Sequence, residues 1–436
     1  MEEDKFLDLL KKELVVSIGC TEPVAIAFAA ALARKYVIGK EIKMIRINAS
    51  RNVIKNAMSV GIPGTGSCGI KFAAAIGTFS NSQNINFELL SYLKPGVLEN
   101  ALNMIKRRLV MVRLADSMKK LFIEVVIETE KSYSRVIIED QHDNVVLVEV
   151  DGEKIDNYHR NGDLTRINEN SNDVKLDFLN LDSILEFIQK VEVKKLNLVK
   201  ETIKMNKMIC LEGLIKPYGL KVGMSIKSQM ERGFLANDTA NYATALTAAG
   251  SDARMAGSKL PVMTNSGSGN QGISATIPIV AFAENLNSCK DELIRAVALS
   301  NLVTIYIKSN LGRLSPLCGA TISATGACCG IIYLMDGEDK IKSSIQNIMG
   351  NITGMICDGA KAGCALKVAT CTTAAIQSAI ITIEGNTINA SDGIIEKNPE
   401  DTIKNFCMLG NVGMKKADKI ILDMMLKKNN SIVTDN

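Results

Sequence analysis

Leu121-Phe122-Ile123-Glu124-Val125-Val126-Ile127-Glu128 is alternating and rich in β-branched residues, and Leu109 to Leu114, Arg135 to Glu139 and Val145 to Val150 share that texture. Short runs of this kind specify half-buried strands, because alternate side chains point to opposite faces of a sheet. Glu99 to Arg107, just before them, has helical spacing. Residues 85–175 therefore read as a small helix-plus-antiparallel-sheet domain, ending in the polar, charged stretch Asp151 to Lys175, which reads as a linker. Working outward, the segment 1–84 mixes helix and loop. Phe6, Leu9, Leu10 and Leu14 form a helical stripe, Val24 to Ala33 is Ala-rich, Lys43 to Asn48 alternates like a strand, and Gly61 to Ser67 is a loop. Residues 176–436 are Ala-, Gly- and Ser-rich with helical periodicity, as in Leu293 to Leu302 and Ala365 to Ile381. The fold class is α+β, with a mainly helical domain over 176–436.

The composition excludes several functions. A 47% hydrophobic and 22% charged chain of 436 residues buries a core and is not disordered. A net charge of +4, scattered basic residues and 4% aromatics without tryptophan leave no stacking platform for nucleic acid. The acidic start, Met1-Glu2-Glu3-Asp4-Lys5, is unlike a secretory signal, and eleven cysteines without one suggest a reducing, cytoplasmic setting. Leu314 to Met335 is uncharged over about one bilayer thickness. Its Gly, Ser, Thr, Cys and Pro316 favour a buried helix after a loop, so no membrane partner is expected. A homo-oligomer is compatible with the sequence, which carries no pattern that specifies one.

The chemistry has to come from unusual groups. The two histidines, His142 and His159, lie in polar, Asn- and Asp-rich sequence that reads as turns, so an imidazole base is not expected. Cys357 and Cys364 are seven residues apart in Gly-rich sequence, and Cys318 stands 39 residues before Cys357. Three thiolates from two loops suit an iron–sulfur cube with one iron left open. Zinc and plain core packing are the competing readings, and Cys328, Cys329 and Cys371 compete as ligands. Gly319, Gly359 and Gly363 would let the backbone close round such a cluster.

Cys20 precedes a helix whose first turn contains Thr21, a plausible N-cap, and Pro23. A thiol there feels the positive end of the helix dipole, which favours thiolate and makes it a candidate base or nucleophile; a buried capping residue is the alternative. Thr264 to Gly272 offers backbone N–H groups beside hydroxyls and amides, a candidate anion nest for a carboxylate or a plain surface turn. It lacks the lysine and spacing of a nucleotide P-loop.

Five segments in order carry a resemblance: Ser17 to Pro23, Gly61 to Gly66, Asn265 to Gly272, Leu311 to Ser315, and Cys357 to Lys361 with Gly363 to Ala365. They resemble the L-cysteine desulfidases, relatives of the α-chain of bacterial iron–sulfur L-serine dehydratases, nearly end to end. The resemblance implies a helical catalytic domain at 176–436 and one 4Fe-4S cluster per chain on Cys318, Cys357 and Cys364. It also implies that the segment 1–84 contributes Cys20 as proton acceptor. The implied reaction removes sulfide from a small amino-acid substrate, L-cysteine, giving pyruvate and ammonia, with the cluster as Lewis acid. Asn265, Ser266, Gly267, Ser268, Gly269 and Asn270 are candidates to hold the substrate carboxylate, with Arg313 and Lys361 as charge partners. Serine dehydratases can end in a cysteine that reaches the cluster, whereas this sequence ends Ser431 to Asn436 with its last cysteine at Cys407, which leans toward cysteine as substrate. L-Serine is the runner-up. A cluster-free binding protein for small carboxylates is the reading from another class. A pyridoxal-phosphate enzyme lacks a convincing lysine context.

Overall fold

The computed structural model describes residues 2–80, 85, 89–90, 93, 95–119, 121–155, 176–311, 316–428 and 432–433. Most of the expected linker (156–175), His159 and Arg313 lie outside them.

Strand-forming texture over 109–150 resolves into β3 (Val110–Leu114), β4 (Phe122–Thr129), β5 (Tyr133–Glu139) and β6 (Val145–Val150), followed by the short β7 (Glu153–Lys154). The alternation of Ile123, Val125 and Ile127 does what it specifies: all three are fully buried. With Ile45, Ile47, Val136 and Ile138 they form an apolar face covered by the Ala-rich α2 (Thr21–Tyr36) and by α4 (Ile70–Thr78). The opposite face is a charged ladder, in which Arg135 Nε lies 2.6 Å from Glu124 Oε1 and Arg46 pairs with Glu128.

The sheet is mixed, not the purely antiparallel one expected. Its order is β7-β6-β5-β4-β2-β3-β9, with β2 (Ile42–Ala49) inserted between β4 and β3, antiparallel to the first and parallel to the second. A parallel neighbour needs a crossover, and α4 with α5 (Val97–Lys106) lies between β2 and β3 in sequence. The edge strand β9 (Ile432–Val433) pairs parallel to β3.

The rest of the chain is helical: α6 (Leu181–Lys190), α7 (Asn197–Ile215), α8 (Val222–Glu231), α9 (Thr239–Met255), α10 (Gly269–Leu286), α11 (Lys290–Leu311), α12 (Gly319–Leu334), α13 (Ile341–Ile352), α14 (Cys364–Ile383) and α15 (Pro399–Met408). The uncharged α12 is central, packed by α10, α11, α13 and α14. Small residues permit this, since a Cβ on Gly326 would stand 2.3 Å from the Ser300 carbonyl oxygen of α11. Helix α14 is long and apolar enough, by length and composition, to cross a membrane; half of its apolar window is buried inside the protein, where it packs on α9 and α12.

The N-terminal segment is shared between the two bodies. Helix α1 (Glu2–Glu13) joins the helical core, with Phe6 stacked on Phe187 at 4.6 Å, and β1 (Val16–Ile18) pairs with β8 (Pro261–Met263). From α2 onward the chain belongs to the sheet body, which also contains α3 (Arg51–Ala57). A terminal helix α16 (Lys415–Lys428) returns to that body, burying Leu422 and Leu426 in its core. Cys20 stands where the chain passes from one body to the other.

Candidate functional site

A cleft of about 160 Å³ lies along this junction. The sheet body contributes Cys20, Glu22, Asn52, Lys55 and Asn56; the helical body contributes Arg254, Ser266, Gly267, Ser268, Asn270, Gln271, Lys308, Cys318, Cys357 and Cys364. Cys20 and Cys318 are the N-caps of α2 and α12, Ser268 is the N-cap of α10, and Cys364 is the first residue of α14. Four helix N-termini thus meet at one cleft. Each brings the positive end of its dipole, so the cleft favours anionic contents, although part of the first-turn N–H groups are already bonded, Gln271 N–H to Ser268 Oγ and Cys364 N–H to the Lys361 carbonyl.

Two loops carry the three cysteines. The Cys318 N–H donates to the Met355 carbonyl (2.9 Å) and the Cys357 N–H to the Pro316 carbonyl (2.6 Å), so the two stretches run antiparallel and hold their thiols together. Gly359, at φ +90°, brings its backbone so close to the Lys55 carbonyl that a Cβ would stand 2.2 Å away. Gly319 abuts Gln271 in the same way, whereas Gly363 has room for a side chain. Burial pushes the Cys318 thiol up to about 12, and the neighbouring Cys357 and Cys364 add to it. Cys364 is raised as well, first by burial and then by Cys357. Three thiols in mutual electrostatic reach, none in a disulfide, form a set whose thiolates a cationic centre would stabilise. Among the described residues no three His, Cys, Asp or Glu side chains converge as ligands of a single metal ion. Three cysteine thiols are a donor set of the type that an iron–sulfur cluster takes. Cys328, Cys329 and Cys371 are buried within α12 and α14 and are not part of the cleft wall.

Cys20 differs from expectation in its charge. Its thiol donates to Glu22 Oε2 at 3.0 Å, and burial, then the Glu22 charge, raise its pKa far above the usual thiol range. Both effects work against the helix dipole and favour the neutral thiol over the thiolate expected from its place in the sequence. Thr21, a candidate cap, is instead the first helical residue. The other Glu22 oxygen, Oε1, accepts from Asn56 Nδ2 at 3.0 Å and stands 3.9 Å from His142 Nε2. Burial works upward on Glu22, but His142 and the hydrogen bonds from Cys20 and Asn56 hold its carboxyl below the ordinary range. An imidazole therefore does stand behind Cys20, on the turn between β5 and β6.

The loop expected to bind a carboxylate divides into scaffold and wall. Asn265 is fully buried and donates to the Asn301 side chain at 2.9 Å, while Gly269 underlies α10; neither lines the cleft. Ser266, Gly267, Ser268 and Asn270 do line it, and Ser266 (φ +49°) and Gly267 (φ +81°) turn the backbone at the mouth of α10. Lys361 is ion-paired with Asp358 and is not part of the wall. Sequence reasoning passed over Glu22, His142, Arg254, Lys55 and Lys308. Glu22 sits inside a motif already singled out. Arg254 carried a signal too, as a lone cation amid the small residues at the end of α9.

Residues 117–423 match the family described as serine dehydratase alpha chain. The chain is 44% identical over 431 residues to the UPF0597 protein of Clostridium perfringens, covering 98% of this chain and 99% of that one. It is 41% identical to the UPF0597 protein of Oleidesulfovibrio alaskensis (98% and 99% covered) and 38% identical to that of Parabacteroides distasonis (97% and 98% covered).

Proposed function

Because the chain belongs to the serine dehydratase alpha chain family, we propose that it is a lyase that removes the β-substituent of a small L-amino acid. The proposed substrate is L-cysteine, which with water gives pyruvate, ammonia and hydrogen sulfide. The observation that carries this reading is the single cleft that joins Cys20 and Glu22 to Cys318, Cys357 and Cys364 beneath four helix N-termini.

Cys318, Cys357 and Cys364 would hold a 4Fe-4S cluster, which supplies Lewis-acid polarisation of the substrate when bound. The chain's own residues handle the proton. Cys20 Sγ takes the α-proton as its thiol proton passes to Glu22 Oε2, so Cys20 ends as it began, a neutral thiol. Loss of the β-substituent with its bonding pair leaves aminoacrylate, which tautomerises and hydrolyses to pyruvate and ammonia. Glu22 then gives its proton up to solvent on the side of His142, which stands 3.9 Å from Oε1 with its side chain 31% exposed, and the departing hydrosulfide takes a proton from solvent to leave as hydrogen sulfide. L-Serine stands as the second reading because the family description names serine dehydratase.

The test is anaerobic purification, iron and sulfide analysis, and pyruvate release from L-cysteine and L-serine in parallel. About four irons per chain, lost in Cys318→Ala, Cys357→Ala and Cys364→Ala, with faster turnover of L-cysteine, is the expected outcome. Faster turnover of L-serine moves the assignment to the second reading. A metal-free protein inactive on both substrates after reconstitution overturns the lyase and leaves a carboxylate-binding protein.

A further inference from the structure

Arg254 is a buried cation that pairs with no carboxylate among the described residues. It is 5% exposed, reaches the cleft wall from the last turn of α9, and among the described residues donates from Nη1 to Asn270 Oδ1 at 3.3 Å. Its Nε–H is buried and has no hydrogen-bond partner among the described residues. Two other wall charges are engaged: Lys55 Nζ lies 2.6 Å from Asp418, and Glu22 holds Cys20 and Asn56. An unpaired buried guanidinium is costly unless an anion joins it, and its planar fork matches a carboxylate. The position is also built for it. A Cβ on Gly269 would stand 2.2 Å from Arg254 Nε, so the guanidinium lies against the start of α10, where the Ser266 to Asn270 loop presents its backbone. Its positive charge reaches the Cys20 thiol and works against the effect of burial there.

We propose that Arg254, braced by Asn270 and seated on Gly269, binds the α-carboxylate of the amino-acid substrate and so sets the α-carbon beside Cys20. This rests on the lyase reading and gives Arg254 the charge-partner role in place of Lys361, which is paired with Asp358 away from the wall. An amine or alcohol without a carboxylate would leave Arg254 unpaired and be rejected, so specificity for α-amino acids follows from the same residue.

The test is calorimetric titration of the cluster-loaded protein with L-alanine, which lacks a leaving group, and with ethylamine, which lacks the carboxylate as well. Wild type should bind L-alanine and not ethylamine. Arg254→Gln should weaken L-alanine about 10- to 100-fold, the range of a charge-assisted hydrogen-bond pair, with iron content and the cluster spectrum unchanged; Arg254→Lys should recover part of the loss. Should Arg254→Gln not fold, Gly269→Ala displaces the guanidinium and must weaken L-alanine in the same sense. Equal binding of L-alanine by wild type and these variants overturns the proposal, as does loss of the cluster together with binding in Arg254→Gln, or no L-alanine binding by wild type. A protein that binds L-alanine through Arg254 yet releases no pyruvate refutes the elimination reading alone.

Discussion

The thiol–carboxylate pair at Cys20 and Glu22 makes a demand that a lone catalytic cysteine would not. A buried thiol with a raised pKa serves as a base only if its proton has somewhere to go, and Glu22 Oε2 at 3.0 Å is that place. Glu22→Gln keeps the shape and removes the charge, so kcat should fall about 10²- to 10⁴-fold, the usual worth of a positioned acid–base group, with cluster content intact. Near-normal steady-state turnover would exclude the relay. Cys20→Ser, with its far less acidic hydroxyl, should be at least as impaired. At this scale the sequence was legible where a residue type is rare and its neighbours special: the Gly-flanked cysteines and the cysteine before a helix all meet at one cleft. His142 and Arg254 were not legible as site residues. His142 reaches Glu22 only because a turn of the sheet folds over the start of α2, and Arg254, though a lone cation amid small residues, points to the cleft only through a burial that its sequence does not state.

Elements were legible from their periodicity, but their partners were not. Lys43 to Asn48 reads as a strand from alternation alone; that it enters the sheet beside β4 and makes the pairing mixed depends on the crossover through α4 and α5. A second long-range contact of this kind caps α8. Asp252 of α9 accepts the Gly223 N–H at 3.0 Å through Oδ2, while burial, opposed by backbone N–H groups, pushes its carboxyl up to about 6. The folded state therefore holds this proton more tightly than the unfolded chain, whose aspartates titrate near 3.9. Its contribution is fully present below that value and is lost as pH rises through about 6. At about 1.4 kcal/mol per unit the change is at most about 3 kcal/mol, less where amide dipoles stabilise the anion. Asp252→Asn abolishes this titration. Melting temperatures from pH 4 to 8 should show the variant gaining on wild type across the interval between the two pKa values and holding a constant offset above it. A difference that does not change with pH would contradict the assignment.

The whole molecule consists of two cores meeting at the cleft, so whatever fixes their junction also fixes the site. One fastening is the pairing of β1 with β8, and another is the return of the chain through α16 to the sheet body. There Asp418 Oδ1 lies 2.6 Å from Lys55 Nζ, whose side chain is 5% exposed and part of the cleft wall. Losing one member of a buried pair strands the other charge, which costs about 3–5 kcal/mol when burial is complete. With the Asp418 side chain 26% exposed, about 1–3 kcal/mol is the fitting expectation for Asp418→Asn in urea denaturation. The stranded Lys55 would also turn toward the cleft as a second free cation, so substrate affinity should change together with stability. Lys55→Met combined with Asp418→Leu removes both charges at similar volume and should regain most of the lost stability, since an apolar pair of matching shape substitutes well for a buried ion pair. If the double variant is as unstable as the single one, packing by Leu422 and Leu426 and not the ion pair holds α16 in place. Activity separates the two roles further. Stability recovered without activity would make Lys55 a working part of the cleft, whereas recovery of both would confine it to fastening the terminal helix over the junction.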